Sequence, residues 1–310
     1  MSIIPDNMFQ SGQFDPIEGQ RAYAEHGYIV LKNVFSRDEV EALRTETRLI
    51  CTGERGDLVG ADLVTQQAGS PGDAVKRVLA IHFPHKVSDL MRSTLFQPSI
   101  LKALNAVIGP DVKCMQSMLF VKTAGKPGQA WHQDEAFIPT QDKSLAGVWI
   151  ALDDARVENG ALWMHPGSHK HGKLWPMQPN QDRRFDASPE AVGYPYDRDG
   201  GVPVEADAGD VVVFHGFVLH RSLNNVRKDG FRRALVNHVM SAHSLLPWRL
   251  PGLSDVQAED YRDVVMISGD DPFSDKGLAD LSIPYLRPED PQQAQQVADR
   301  LKRAVDAAQR

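Results

Sequence analysis

GDVVVFHGF, residues 209–217, is a run of β-branched and aromatic residues introduced by Gly-Asp, a pattern typical of a buried strand. Five other stretches between residues 112 and 240 have the same character, and glycine, proline, asparagine or aspartate separates them. Many short strands with turn signals between them favour a sandwich or a barrel. We therefore predict a mainly β protein with flanking helices. The other strand candidates are VKCMQSMLFVK (112–122), AGVWIALDD (146–154), GALWMHPGS (160–168), GVPVEA (201–206) and RRALVNHVM (232–240).

The segments on both sides of this β region contain helix signals. Ser36 and Glu39 fit a capping box, S-x-x-E, and predict a helix that buries Val40, Leu43 and Leu49. The other predicted elements are a helix from Asp15-Pro16 to about His26, a strand YIVLKNV (28–34), a helix from Pro98 or Ser99 to Ile108, a helix after Pro288, and loops at residues 52–74 and 176–200.

These elements predict one domain that spans residues 1–310. Residues 1–110 would form a mixed, partly helical support, residues 111–243 the β core, and residues 244–310 a C-terminal extension with a terminal helix. We see no internal repeat and no low-complexity tract.

The composition is that of an ordinary globular chain and argues against several classes of protein. Of 310 residues, 42% are apolar and 24% are charged, and the formal net charge of −7 argues against a nucleic-acid partner. Cys51 and Cys114 form no CxxC pattern, so we expect buried thiols rather than a disulfide or a zinc site. Neither a secretory signal nor a long apolar run is present, and we expect a cytoplasmic protein without a membrane partner.

WHQDEAF, residues 131–137, places His132 and Asp134 two positions apart, so both would point to the same face of a strand. This pair alone is a weak signal, because about one His-x-Asp is expected by chance in such a chain. His220 supplies a second imidazole at the end of FHGFVLHRS, residues 214–222. Two imidazoles and one carboxylate form the facial triad of non-haem Fe(II) oxygenases, which leaves coordination positions open.

GFRRALVNH, residues 230–238, adds Arg232 and Arg233 to an otherwise apolar strand. Strand alternation places the two side chains on opposite faces, so only one of them can point into a barrel. A buried guanidinium is costly unless an anion pairs with it, and its planar fork matches a carboxylate. A co-substrate such as 2-oxoglutarate would supply that carboxylate. The alternative is one surface arginine and one ordinary salt bridge.

Four sequence blocks, in this order and spacing, resemble the phytanoyl-CoA dioxygenase family of Fe(II)/2-oxoglutarate oxygenases: WHQDEAF, GVWIALDDARVENGALWMHPGSHKHG (147–172), GDVVVFHGFVLHRSLNN (209–225) and GFRRA (230–234). The resemblance covers about residues 20–243. It implies a double-stranded β-helix of the jelly-roll, cupin-like kind, with Fe(II), 2-oxoglutarate and O2 as cofactors. The metal ligands that it implies are His132, Asp134 and His220. Around 2-oxoglutarate it implies Arg232, Trp149, Ser222, Met118 and, with Arg77 as the alternative, Lys76.

The resemblance also implies the kind of reaction. Halogenating relatives carry a small residue where this chain has Asp134, so we expect hydroxylation or a related oxidation of a small-molecule substrate. We expect the loops at 52–74 and 176–200 to contact that substrate, with Arg183 and Arg184 as candidates for an anionic one. Two alternatives stay open: a metal-dependent cupin-type dioxygenase or isomerase that does not use 2-oxoglutarate, and a barrel that only binds a ligand. The sequence leaves the oligomeric state open.

Four other histidines lie close to the proposed ligands. His215 precedes His220 by five positions, but the family places the ligand at His-x-Ser, which selects His220. We interpret His165, His169 and His171, which surround a PGSH turn, as structural residues.

Overall fold

The computed structural model describes residues 6–56, 58–245 and 262–308, and its helices lie mostly at the two ends of the chain. None of the helices in these ranges is long and apolar enough to cross a membrane. The helices are α1 Pro16–His26, α2 Arg37–Cys51, α3 Ala61–Gln66, α4 Pro71–Lys76, α5 Asp89–Ser93, α6 Pro98–Val107 and α7 Pro291–Ala308.

The strands form a mainly β structure, as the sequence predicts, and they assemble into one large sheet and two smaller ones. The strands are β1 Met8–Gln10, β2 Tyr28–Lys32, β3 Val78–His82, β4 Val112–Thr123, β5 Gln129–His132, β6 Ala146–Ala151, β7 Leu162–Met164, β8 Met177–Gln178, β9 Glu190–Ala191, β10 Val202–Val204, β11 Val211–His215, β12 His220–Ser222, β13 Phe231–Ser241, β14 Val265–Ser268 and β15 Tyr285–Pro288.

The large sheet has the order β1-β2-β11-β6-β13-β4-β3-β15, and β14 pairs with β4. The second sheet has the order β10-β7-β12-β5, and β8 pairs only with β9. All strand pairs are antiparallel except β1 with β2. Side chains of the large sheet and of the second sheet line the same cavity, so the functional site lies between these two layers.

The register of the large sheet places side chains of four strands in rows on the cavity face. Val236 of β13 pairs with Trp149 of β6 and with Met118 of β4, and Met118 pairs with His82 of β3. Because side chains alternate along a strand, residues two positions away on each strand form the next row of the same face. Arg232 of β13 accordingly stands beside Lys122 of β4.

Local sequence explains where the predicted helices begin. The Asp15 side chain accepts hydrogen bonds from the backbone N–H groups of Ile17 and Glu18 and caps α1. Ser36 and Glu39 form the predicted capping box of α2. On that helix Val40 and Leu43 are buried as predicted.

Four predictions about the elements need correction. Leu49 is only half-buried, because Ile50 takes the inward position on α2. The segment 52–74, predicted as a loop, contains α3 and the start of α4, where Pro71 follows the N-cap Ser70. The segment 176–200 contains the short pair β8 and β9. The terminal helix starts at Pro291, since Pro288 still belongs to β15.

The three predicted parts of the chain share one sheet. β1, β2 and β3 come from residues 1–110, and β14 and β15 come from residues 244–310, yet all five belong to the large sheet. The β core therefore extends beyond the predicted range 111–243. Cys51 and Cys114 are free and buried, as the sequence predicts.

Candidate active site

The two histidines of the predicted triad are neighbours across two strands. His132 ends β5, His220 begins β12, and the two residues are direct partners in the antiparallel pair. Their ring centroids are 4.1 Å apart. The long connection between residues 132 and 220 thus brings both imidazoles to one point on the second sheet.

Asp134 does not lie on the same strand as His132, which corrects the simple strand interpretation. Gln133 still has extended backbone angles, but Asp134 begins a 3-10 helix that runs to Ala136. The Gln133 side chain donates hydrogen bonds to the backbone carbonyls of Lys173 and Phe217, which fixes this turn. The extended conformation of the intervening residue is enough to keep both ligand side chains on one face.

The three ligand atoms converge closely. Asp134 Oδ1 lies 3.5 Å from His132 Nε2 and 3.4 Å from His220 Nε2. One ligand atom from each of the three residues lies within 4.8 Å of the others, and all three residues are buried. This is the predicted triad, in a geometry that one ion can bridge.

Hydrogen bonds at the far side of each ring orient the two imidazoles. His132 Nδ1 lies 2.7 Å from the carbonyl of Ala130, and His220 Nδ1 lies 3.1 Å from the carbonyl of Val218. A carbonyl oxygen can only accept, so each Nδ1 carries a proton, and in the neutral ring Nε2 then presents a lone pair for a metal ion. Burial and the neighbouring His220 lower the pKa of His132, which favours the neutral ring that a metal requires.

A third histidine, which the sequence analysis did not select, contacts the triad. His238 Nε2 lies 3.2 Å from Asp134 Oδ2, the carboxylate oxygen that faces away from the two triad rings. Burial acts to raise the pKa of Asp134, but the surrounding histidines, His220 first, hold it well below its ordinary value. The carboxylate is therefore ionised, with one oxygen held by His238 and the other directed to the ligand group.

A cavity of about 340 Å³ opens in front of the triad. Phe214, Leu162 and Val236 contribute apolar walls near the ligands. Trp149 and Met118, which the family resemblance implies near the co-substrate, also line this cavity.

Arg232 points into the cavity and is 3% exposed. No carboxylate pairs with it in the part of the chain that the structure describes, and its Nε has no hydrogen-bond partner there. Its guanidinium carbon lies 5.8 Å from the centre of the Trp149 ring. Burial lowers the pKa of Arg232 to about 10, so the side chain stays charged at neutral pH.

Arg233 points the other way, as alternation predicts. Its guanidinium forms two hydrogen bonds of 2.8 Å with the Asp153 carboxylate. The two adjacent arginines therefore differ in their partners: Arg233 is paired with a carboxylate, whereas Arg232 has no carboxylate partner among the described residues.

Lys122 stands next to Arg232 across the strand pair and is 6% exposed. Its ammonium group donates to Ser222 Oγ at 2.9 Å and to the carbonyl of Leu223 at 2.5 Å. A side chain on Gly160 would clash with this ammonium, since a Cβ there would lie 2.8 Å from Nζ. Burial and the Arg232 charge lower the pKa of Lys122 well below its ordinary value.

Lys122 and Lys126, and not Lys76, are the lysines that line the cavity. Lys76 lies on α4, its side chain is 59% exposed, and it pairs with Asp73 at 3.3 Å. It does not line the cavity, and neither does the alternative, Arg77. The signal that finds Lys122 is alternation on β4, which places residues 118, 120 and 122 on one face.

The predicted substrate loops contribute unequally to the cavity. Within the described residues of 52–74 none lines it, whereas the 176–200 segment provides Asp186 and Ser188. Arg183 and Arg184 do not line it, and Arg184 pairs with Asp182 at 2.7 Å.

The remaining histidines have structural contacts. His215 Nδ1 accepts a hydrogen bond from the backbone of Phe217 and lies outside the ligand group. His165 stacks on Trp131, and His169 contacts the carbonyl of Ala24. His171 Nε2 lies 2.9 Å from the Tyr196 hydroxyl.

The chemistry of the donor set fits a divalent metal ion. The Nε2 atoms of the two imidazoles lie 3.4–3.5 Å from one carboxylate oxygen of Asp134. A cation between the three atoms could be coordinated by all of them. Two nitrogen donors and one oxygen donor on one face, with an open cavity opposite, are typical of non-haem Fe(II) sites.

Comparison with known proteins identifies the relatives of this chain. The sequence model of the phytanoyl-CoA dioxygenase family matches residues 23–234. Rat peroxisomal phytanoyl-CoA dioxygenase is 30% identical over 239 residues, which cover 73% of this chain and 68% of the rat protein. Phytanoyl-CoA dioxygenase 1 of Oryza sativa subsp. japonica is 28% identical over 253 residues, covering 72% of this chain and 88% of the rice protein.

Solved structures confirm the fold. The non-heme alpha-ketoglutarate-dependent carbocyclase SnoK from nogalamycin biosynthesis superposes with a TM-score of 0.60 at 22% sequence identity. The alignment covers 84% of this chain and 99% of SnoK. Proteins of this group have the double-stranded β-helix, so the predicted fold class is confirmed. The predicted cytoplasmic location is not tested by these relatives and stays a prediction.

Proposed function

The chain belongs to the phytanoyl-CoA dioxygenase family and is an iron- and 2-oxoglutarate-dependent oxidoreductase, and from this premise we propose that it hydroxylates an unactivated C–H bond of a small molecule, with release of succinate and CO2. One observation carries the proposal. One cavity contains three converging metal-ligand atoms and a buried guanidinium that has no anionic partner among the described residues. This combination favours the oxygenase over a cupin-type enzyme that does not use 2-oxoglutarate and over a barrel that only binds.

His132, Asp134 and His220 would hold Fe(II). The backbone carbonyls behind both rings would keep each Nε2 directed at the ion, and His238, which contacts Asp134 Oδ2, would leave Oδ1 to bind it. Because Asp134 keeps its carboxylate, the coordination position that halogenases free for a halide is occupied, which supports hydroxylation.

Arg232 would hold the distal carboxylate of 2-oxoglutarate. Arginine binds a carboxylate through two parallel hydrogen bonds, and in a buried site such a pair is stronger than in water. Lys122 would add a second positive charge and also act through Ser222. Since Ser222 Oγ accepts from Lys122, its own proton is free to be donated to the carboxylate.

When bound, iron and 2-oxoglutarate supply the oxidising power, because O2 is reduced while 2-oxoglutarate loses CO2 and becomes succinate. The residues of this chain orient those groups and exclude water. Phe214, Leu162 and Val236 form the apolar part of the wall that shields the reacting centre.

An anaerobic titration tests the proposal. Fe(II) and 2-oxoglutarate added to the protein should produce the visible metal-to-ligand charge-transfer band. The band should require about 100-fold more 2-oxoglutarate in Arg232→Ala, because the partner charge is lost from a buried pair. Arg233→Ala is the matched control, since that arginine pairs with Asp153 outside the cavity. A wild-type protein that gives no band would refute the assignment.

The reaction itself needs a second measurement. Succinate release in air is followed over a library of small molecules, and the oxidised product of each active compound is identified by mass. Addition of one oxygen atom is the expected result. A product that has lost two hydrogens or closed a ring without gaining oxygen would instead assign another oxidation to the same site.

A further inference from the structure

The cavity has a second cationic end, at Arg287 of β15. Arg287 pairs in register with Ala80 of β3, and Ala80 pairs with Phe120 of β4. All three residues line the cavity, so the inward face of the large sheet continues to its edge.

This end is separate from the one proposed for 2-oxoglutarate. Arg287 lies two strands away from Lys122, which corresponds to about 10 Å at the usual spacing of strands. Its side chain is 34% exposed, whereas Arg232 and Lys122 are buried. The first end is thus at the bottom of the cavity and the second at its mouth.

Arg287 has one ion pair among the described residues. Its Nη1 lies 2.9 Å from Asp186 Oδ2. A guanidinium offers five N–H donors in a planar fork, and a single contact leaves most of that fork available for another anion. Asp186 belongs to the 176–200 segment, so this ion pair joins that segment to the sheet edge at the cavity mouth.

His82 completes the wall beside Arg287. It lies on β3, stacks on Tyr285 with ring centroids 4.1 Å apart and planes 9° apart, and faces the cavity. Burial, with the nearby Arg287 charge, lowers the pKa of His82 to about 3. The ring is therefore neutral and offers a hydrogen bond rather than a charge.

The charge of the whole cavity favours an anionic occupant. Its lining includes two carboxylates, Asp134 and Asp186. Iron and 2-oxoglutarate bring equal and opposite charges, so their binding does not reverse this excess of positive charge. Glu289, which pairs with Lys126 from the surface, reduces the excess without removing it. Besides Lys122, whose pKa is lowered, the cationic side chains of the lining are Lys126, Arg221, Arg232 and Arg287.

We propose that Arg287 and His82 bind an anionic group, a carboxylate or a phosphate, on the primary substrate, across the cavity from 2-oxoglutarate. The proposal rests on the oxygenase function proposed above. It places one of the two binding residues, Arg287, outside residues 23–234, the segment that the family model matches, on the strand Tyr285–Pro288. In this proposal Asp186 forms an ion pair with Arg287 until the anion of the substrate displaces Asp186.

Direct binding tests the site without knowledge of the substrate. The protein is loaded anaerobically with Fe(II) and 2-oxoglutarate and titrated calorimetrically with methyl phosphate, acetate and acetamide. Saturable binding is expected for at least one of the two anions and not for the neutral amide. In Arg287→Gln that binding should weaken about tenfold or more, as expected for the loss of a charged partner. The charge-transfer titration with 2-oxoglutarate should not change, which separates a failure here from a failure of the oxygenase assignment.

Two further variants separate binding from structure. Asp186→Asn removes the protein partner of Arg287 and should tighten anion binding. If the ion pair were purely structural, Asp186→Asn and Arg287→Gln would instead lower the melting temperature to the same extent, and neither would change anion binding. Arg184→Gln, in the same segment but outside the cavity, should bind like wild type. Wild-type protein that binds neither anion, or Arg287→Gln that binds both as well as wild type does, would overturn the proposal. Which of the two anions binds more tightly decides between phosphate and carboxylate.

Discussion

The two sheets that enclose the cavity contribute opposite kinds of polar group. The second sheet and its following turn provide the metal ligands, and each of those side chains is already oriented by a protein partner: Ala130, Val218 or His238. The large sheet provides Arg232, a cation without a protein anion in the described ranges. The metal site is therefore preformed, whereas the anion site is completed only when its ligand binds.

The largest expected effect comes from a metal ligand. His220→Ala removes one of three donors, and we expect Fe(II) affinity to fall by about 100-fold or more, because a preformed site loses a direct bond. His215→Gln is the control, since that ring lies outside the ligand group. Anaerobic metal titration measures both. Equal losses in the two variants would mean that the second sheet does not carry the metal site.

Ligand-linked stability sharpens the contrast between the sheets. A ligand that binds only the folded state raises the melting temperature. With Fe(II) present, 2-oxoglutarate should therefore raise it clearly in wild type and much less in Arg232→Ala. A keto acid that lacks the distal carboxylate, 2-oxobutyrate, should give similar small shifts in both proteins. If Arg232→Ala responded to 2-oxoglutarate as wild type does, the large sheet would not hold the anion.

Lys122 and Ser222 test whether the anion site has a second cation. Lys122→Met should raise the dissociation constant for 2-oxoglutarate about tenfold, a loss typical of one charge-assisted hydrogen bond. Ser222→Ala should cost less, and the double variant should lose less than the sum of both, because Lys122 acts partly through Ser222. The charge-transfer band reports each value. Strict additivity would show that the two side chains act independently.

His238 tests how far the metal site depends on its surroundings. His238→Leu removes the group that holds Asp134 Oδ2, and we expect Fe(II) affinity to fall by about tenfold, the usual effect of losing a partner of a ligand. His238→Gln keeps a donor and should recover part of the affinity. The energy of the charge-transfer band should also shift in His238→Leu, which a general loss of stability would not cause.

The smallest effect concerns acid stability. Burial lowers the pKa of His82 to about 3 and that of His85 to about 4, so both rings stay neutral in the folded protein. The unfolded chain takes up these protons near pH 6.5, so stability is complete above that pH and falls as the pH drops toward 4. His85→Gln should flatten the dependence of the melting temperature on pH in this window. If the melting temperature of His85→Gln depended on pH as that of wild type does, His85 would be excluded as a cause of the acid sensitivity.

Much of the site could be predicted from sequence because its residues lie in short, strongly patterned blocks. The His-x-Asp pair and the distal histidine need only their spacing and residue types, and alternation alone separates Arg232 from Arg233. The family motif adds Trp149 and Ser222, which both line the cavity.

Two residues were missed although a signal was present, because alternation from Met118 on β4 and from Arg232 on β13 leads to Lys122 and His238. The remainder depends on strand pairing, which a single sequence does not reveal. Lys76 lies away from the cavity because its segment forms a helix on the surface. β15 was missed as a wall of the cavity because its partner, β3, lies about two hundred positions earlier in the chain.

That last pairing has a consequence for synthesis of the protein. The triad, Arg232 and His238 have all left the ribosome long before residues 285–288 emerge to complete the sheet edge. A nascent chain, or one truncated after residue 243, would contain every residue proposed to bind iron and 2-oxoglutarate but would lack the strand that forms the mouth of the cavity.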